Sequence, residues 1–342
     1  MSDRLRYEIS TAPAKLEAFR PDFIPRDNLD LCGNWPGCIV TGKSGKRYFF
    51  MLTIGTAAQP FTMFTNADVI SDTGFDRSAP DIVAEIPMRE PLPFTWERVG
   101  EEVIINADKI GKVHFRANGY DWFGFGDRIH LHVEHLGDAC SYFIPGQSGV
   151  TNPVWHQSNV GWVTGHIDGD EIEGFSLLDL AWSPPDTTWF DIEIFRDIQK
   201  HWTMWVVEYE NGRRDGGYAW CGKPGWKFDA GHYVEDGHTT ATQTAITTPT
   251  YHETGVPEAI RIDYGDYWVE CEYDCLADWP LHPIGRVKAT STGLPIAKSY
   301  TMTEWIPDNI KPIIDGTQAG FSEFRDIRAK PAKIVDGHVV AI

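Results

Sequence analysis

Residues 150–190 read VTNPVWHQSNVGWVTGHIDGDEIEGFSLLDLAWSPPDTTWF, and residues 201–220 continue HWTMWVVEYENGRRDGGYAW. Each stretch holds two β-prone runs around a turn, Asp168-Gly169-Asp170 in the first and Asn211-Gly212 in the second. Asp-Gly and Asn-Gly pairs take up the positive φ angles of tight turns, so both stretches are predicted to be β-hairpins. Asp179 lies near the end of the first hairpin, among tryptophans. Burial without a partner disfavours a charged carboxylate, so Asp179 must either be hydrogen-bonded or have its pKa raised. Here chemistry outweighs packing as the reading.

The rest of the chain repeats the pattern. Residues 37–42 and 47–56 pair across the turn at 43–46, and residues 103–107 pair with 112–117. A further strand covers 128–134, residues 260–264 and 267–273 flank Gly265, and 286–292 pairs with 296–303 across Gly293-Leu294-Pro295. Turns recur at roughly 8–12-residue spacing, the rhythm of sandwiches and barrels, and helical periodicity is scarce. The fold class expected is all-β. A chain of 342 residues exceeds one ordinary core, so two domains are expected, residues 1–190 and 191–342. The Pro184-Pro185 step and the segment 187–200, which fits a short helix or a strand, mark the junction. The Thr-rich tract 235–250 reads as a long loop or an irregular edge segment.

Composition removes several functions. A net charge of −19 without a basic run argues against nucleic acid and against anionic membrane surfaces. The first twenty residues lack the apolar core of a secretory signal, and no run of about 18 apolar residues exists for a membrane span. Six cysteines in such a chain are expected to be reduced thiols, which points to the cytoplasm. No phosphate loop, Gly-x-Ser-x-Gly elbow or dinucleotide fingerprint is present. Fourteen tryptophans and an aromatic content of 13% are high; such side chains fill cores, and they also line pockets for apolar ligands.

The segments NWPGCIVTGKSGKRYFFMLTIG and FTNADVISDTG resemble the opening of the AttH/carotenoid 1,2-hydratase-like proteins. In VGWVTGHIDGDEIEGFSLLDLAW, Asp179 and Trp182 fall on the acid and tryptophan of that family's Asp-His-x-Trp motif, while Leu180 replaces its histidine. HWTMWVVEYENGRRDGG resembles the strand and turn that open the family's second domain. The likeness covers about residues 30–220. It implies two lipocalin-like domains with a ligand site in or between them, an apolar terpenoid or phenolic substrate, and no cofactor. The expected activity is that of a hydratase, dehydratase or isomerase. The alternatives are a non-catalytic carrier of hydrophobic ligands and a cupin-like metal enzyme.

In the catalytic reading, a protonated Asp179 protonates the substrate, His156 is a second acid–base group, and aromatic faces steady a developing cation. Trp155, Trp162, Trp182, Tyr218 and Trp220 are the candidate substrate-binding residues. In the alternative reading, Asp179 accepts backbone hydrogen bonds at a strand end, His156 bonds to backbone, and Tyr218 and Trp220 fill the second core. His130 and His132, two apart on a strand, share a face as in β-barrel metal sites, with His135 nearby. The glutamate of a cupin set is not at the right offset, since Glu134 comes too soon, and no metal is expected.

Overall fold

A computed structural model describes the chain except residues 1–4, 27, 57–60, 71–76, 79–90, 108–109, 188, 252–256, 278–281, 307–331, 336–337 and 342. The protein is all-β, with 66% of the described residues in strands, in two curled antiparallel sheets. The first sheet holds β1 (Glu8–Ala12), β2 (Asp30–Gly42), β3 (Arg47–Ile54), β4 (Phe61–Ile70), β5 (Arg77–Ser78), β6 (Leu92–Pro93) and β7 (Thr95–Val99). It continues with β8 (Glu102–Ala107), β9 (Gly111–Arg116), β10 (Gly119–Gly124), β11 (Ile129–His135), β12 (Ala139–Ile144), β13 (Val154–Ile167) and β14 (Asp170–Ser183). The second holds β15 (Gln199–Tyr209), β16 (Arg214–Gly222), β17 (Asp229–Glu235), β18 (His238–Thr242), β19 (Ile246–Tyr251), β20 (Pro257–Asp263), β21 (Trp268–Ala277), β22 (His282–Thr290) and β23 (Ile296–Trp305). A separate hairpin joins β24 (Ala332–Val335) and β25 (His338–Ala341).

Both sheets curl into half-barrels. In the first, the order β4-β3-β2-β14-β13-β11-β10-β9-β8-β7 returns on itself, because β6 pairs with β4 and runs into β7 across Phe94 alone. In the second, the two edge strands are β18 and β19, which are consecutive in the chain. The Thr-rich tract is therefore edge strand, not long loop. The segment expected as helix or strand becomes a 3-10 turn at Trp189–Asp191, a single π turn at Ile194–Ile198, and then β15. Ile192, Ile194, Phe195 and Ile198 are buried there, so this connection is anchored by packing.

The two deciding hairpins form as read. β13 and β14 pair from Trp155–Trp182 to Ile167–Asp170, and Asp168 and Gly169 take φ of +52° and +82° in the turn. β15 and β16 pair from Gln199 to Glu208, and the Asn211 side chain accepts from the Arg213 N–H in their loop.

Each central strand separates two apolar layers, so both of its faces are buried. Leu178, Leu180 and Trp182 on β14 pack inside the first sheet with Phe50, Phe115 and Trp122. Phe175 and Leu177, on the opposite face of β14, pack in a seam against Trp202, Met204 and Met302 of the second sheet. Inside the second sheet, Trp205, Val207 and Tyr209 meet Ile260 and Val269. Full burial of each large side chain contributes roughly 1.5–3 kcal/mol. The sheets approach closely because Gly216 lacks a side chain: a Cβ there would lie 2.5 Å from Val160 Cγ1. Hydrogen bonds cross the same seam, from Tyr218 Oη to the Asn159 carbonyl (3.2 Å) and from Tyr300 Oη to the Glu173 carbonyl (3.1 Å). Among the described residues no helix is long and apolar enough to cross a membrane.

Candidate active site in the seam between the sheets

Period-two alternation sets which side chains enter the seam. Ser158 on β13 lies directly opposite Asp179 on β14, so the two share a face, and His156 is two residues away on that face. From the second sheet, Trp202 lies opposite Trp220, and Met204 opposite Tyr218. The Trp202 indole N–H donates to Asp179 Oδ2 at 3.2 Å, while Oδ1 has no hydrogen-bonding partner.

Burial is the main cause of an upward shift of the Asp179 carboxyl to about 7, opposed by the Ser158 hydroxyl and the Trp202 indole and reinforced by the charge of Glu304. Asp179 therefore holds its proton near neutrality. Around it the rings form one cluster: Trp202 and Trp220 meet edge-on at 4.5 Å, and His156 lies 5.0 Å from Trp202 and 5.3 Å from Trp220. Tyr218 stacks on His232 at 5.1 Å, and the Tyr142 hydroxyl bonds His232 Nδ1 at 2.9 Å. The indole N–H of Trp220 and Nε2 of His232 have no hydrogen-bonding partner in this cluster. Desolvation holds the His156 and His232 imidazoles down at about 3, so both are neutral at ordinary pH. His156 can then accept a proton or a hydrogen bond, but it is not a proton donor in its resting state.

The sequence candidates divide between faces. Asp179, His156, Tyr218 and Trp220 converge in the seam. Trp162 is in the same layer, but its ring packs against Tyr300 (5.9 Å) and under the Arg214 guanidinium (4.4 Å). Trp182 is in the other layer: it packs inside the first sheet, and its indole N–H donates to the Phe23 carbonyl at 3.0 Å. It stands three residues from Asp179, an odd step along a strand, and so points the opposite way. Trp155 packs against the first core with Phe143 and beneath Arg26. Inside the first sheet the described buried side chains form one apolar cluster.

On the histidine strand, two of the three side chains meet a carboxylate that an arginine also holds. His130 and His132 both approach Asp121 Oδ1, at 3.3 and 2.7 Å, and Arg116 bonds the other oxygen of that carboxylate. His135 has the opposite parity on β11 and lies against Phe19. Among the described residues no group of three or more His, Cys, Asp or Glu side chains could hold a metal ion.

Sequence reasoning missed Trp202, Ser158, Tyr142 and His232. Trp202 and Ser158 carried a usable signal, since pairing the two predicted hairpins places Ser158 opposite Asp179 and Trp202 opposite Trp220. Tyr142 and His232 carried none, because strands far apart in sequence bring them in.

Taken together, fold and site define a two-sheet β protein with a buried acid in an aromatic seam. No known protein family matches the chain, and no curated protein matches it in sequence. Among solved structures it is similar to a protein of Nitrosomonas europaea provisionally assigned as AttH, at 12% identity and a TM-score of 0.44, over 86% of this chain and 99% of that one. It is also similar to kievitone hydratase from Nectria haematococca, at 8% identity and a TM-score of 0.41, over 86% and 93% of the two chains. These are likenesses of overall strand arrangement and carry no argument about chemistry.

Proposed function

We propose that this protein is an enzyme that adds water to, or removes it from, a carbon–carbon double bond of an apolar terpenoid or phenolic molecule, with Asp179 as proton donor. One observation carries the reading: the Asp179 carboxyl is buried, shifted to about 7, and has one oxygen without a partner. Protonating an unactivated alkene needs an acid that is still protonated at working pH and surroundings that tolerate a cation. The first comes from desolvation. The second comes from the faces of Trp202, Trp220 and Tyr218, each of which stabilises a nearby cation by roughly 0.5–2 kcal/mol. The transfer itself uses only side-chain acid, so the reading calls for no cofactor.

The test uses a panel of acyclic isoprenoid alkenes and prenylated phenols incubated with the protein in H2(18)O, with products read by mass spectrometry. Incorporation of the heavy oxygen by wild type, and its loss in Asp179→Asn, is the expected result. Equal incorporation by a folded Asp179→Asn protein would refute the assignment. Binding of panel members without any chemical change would favour a carrier.

A further inference from the structure

The seam holds a second carboxyl group, and it comes from the other sheet. Glu304 on β23 lies directly opposite Trp202 on β15, on the same face, and Trp202 is the residue whose indole reaches Asp179. The carboxyl of Glu304 is near enough for its charge to act on Asp179. Its hydrogen-bond donor is the neutral amide of Gln199, and His282 Nε2 stands 3.9 Å away. The other titratable groups facing the pair are His156 on β13, His232 on β17, Tyr142 on β12 and Tyr218 on β16, with His201 on the reverse face of β15. Burial holds all three of these histidines down at about 3, so none is cationic at neutral pH. Among the described residues no lysine or arginine pairs with either carboxyl.

Asp179 is buried and Glu304 half-buried, and among the described residues neither has a lysine or arginine partner, so desolvation and mutual repulsion both oppose ionisation. Leucines of similar volume would pack the seam better, and nothing in the strand pairing requires acids here. A pair of this kind ionises in coupled steps and at intermediate pH holds a single proton. Burial raises the Glu304 carboxyl to about 7 as well, opposed by the Gln199 amide, and the unpartnered Oδ1 of Asp179 is the oxygen positioned to carry and release the proton.

We infer that Asp179 and Glu304 form one acid–base unit bridging the two sheets, in which Asp179 protonates the substrate carbon and Glu304 takes the proton of the attacking water. This rests on the function proposed above. The π electrons of the double bond form a C–H bond with the Asp179 proton, leaving a carbocation and an Asp179 carboxylate. A water oxygen forms the C–O bond, and one of its protons passes to the Glu304 carboxylate. The net change is addition of one water, and transfer of the proton from Glu304 back to Asp179 restores the starting state. Dehydration follows the same steps in reverse.

Two experiments on the full chain test this. The first needs no substrate: infrared titration of protein carrying carboxyl-labelled aspartate or glutamate. Wild type should lose its buried protonated bands in two separated steps. Glu304→Gln should lower the Asp179 midpoint by about one unit, and Asp179→Asn should lower that of Glu304 similarly, as removal of a like charge requires. Midpoints unchanged in both variants overturn the pairing.

The second reads turnover on the panel in labelled water. Glu304→Gln should lose at least about 10²-fold in kcat, the scale of one general acid–base group, together with the acid limb of the pH profile. Glu304→Asp, which keeps the carboxyl on a shorter arm, should retain that limb at reduced kcat. Wild-type kcat and both limbs in Glu304→Gln, with Asp179→Asn inactive, overturn this inference and leave the proposed function standing. Wild-type turnover in Asp179→Asn removes the proposed function itself.

Discussion

Two buried aspartates, Asp215 and Asp179, sit in opposite electrostatic circumstances. Asp215 is fully buried at the tyrosine-rich end of the second sheet. Arg213 bonds both of its oxygens at 2.9 and 2.7 Å, Tyr209 and Tyr267 donate to Oδ2 at 3.1 and 3.2 Å, and the Asp236 N–H donates to Oδ1 at 3.1 Å. Asp179, in the seam, has the Trp202 indole on one oxygen, a neighbouring serine, and no cationic partner among the described residues. The fold thus has the means to bury a carboxylate fully compensated, and in the seam it does not use them. An acid left protonated is poor architecture and good chemistry.

The largest effect expected on that comparison comes from removing the compensation. Arg213→Met leaves the Asp215 charge buried with only neutral donors and should cost about 3–5 kcal/mol in urea unfolding. A loss no greater than a surface substitution causes would show that Asp215 does not depend on its cation, and the contrast would fail. Next in size, Asp179→Asn should reduce turnover at least ~10²-fold, equivalent to about 2.7 kcal/mol in the barrier, while ligand binding changes little.

The third effect has the opposite sign. The folded-state pKa of Asp179 is raised from 3.8 to about 7, so folding favours its neutral form. Its contribution to stability is complete below the unfolded-state value and is lost as pH rises through about 7. Asp179→Asn should therefore match wild type near pH 4 and exceed it at pH 8 by something of the order of 2 kcal/mol, in denaturant titrations at both values. Asp215→Asn, by contrast, should destabilise at pH 8, because Arg213 then keeps only Glu235 as counter-charge and the bidentate pair inside the sheet is lost. Stabilisation by both substitutions would erase the distinction between the sites. The smallest effect concerns Trp182. Trp182→Phe breaks the bond to the Phe23 carbonyl inside the first sheet and should cost about 1–2 kcal/mol, yet leave turnover unchanged. A fall in kcat without loss of stability would return Trp182 to the site.

Several parts of the site were legible because they are local. The turn at Asp168-Gly169 fixes the register of β13 on β14, and this register alone puts Ser158 and His156 on the face of Asp179. The same logic across Asn211-Gly212 pairs Trp202 with Trp220. Trp182 was misplaced by proximity in sequence: in a strand, the residue three positions along belongs to the opposite face. The segment 187–200 stayed ambiguous because its apolar residues anchor two single turns and the start of a strand, which no one periodicity describes.

By itself the sequence determined the β class, the hairpin registers, and that an acid would lie among aromatic rings. These follow from nearest-neighbour sterics, turn geometry and alternation, all encoded within a dozen or so residues. Tertiary structure alone decided which side of β14 is barrel interior and which is seam. Alternation divides a strand into two faces, but when both are buried the hydrophobic pattern cannot rank them. Tertiary structure also brought Trp202 and Glu304 to Asp179, 23 and 125 positions away in the chain. That meeting depends on how two finished sheets pack, and it brings the charge of a second carboxyl to bear on the first.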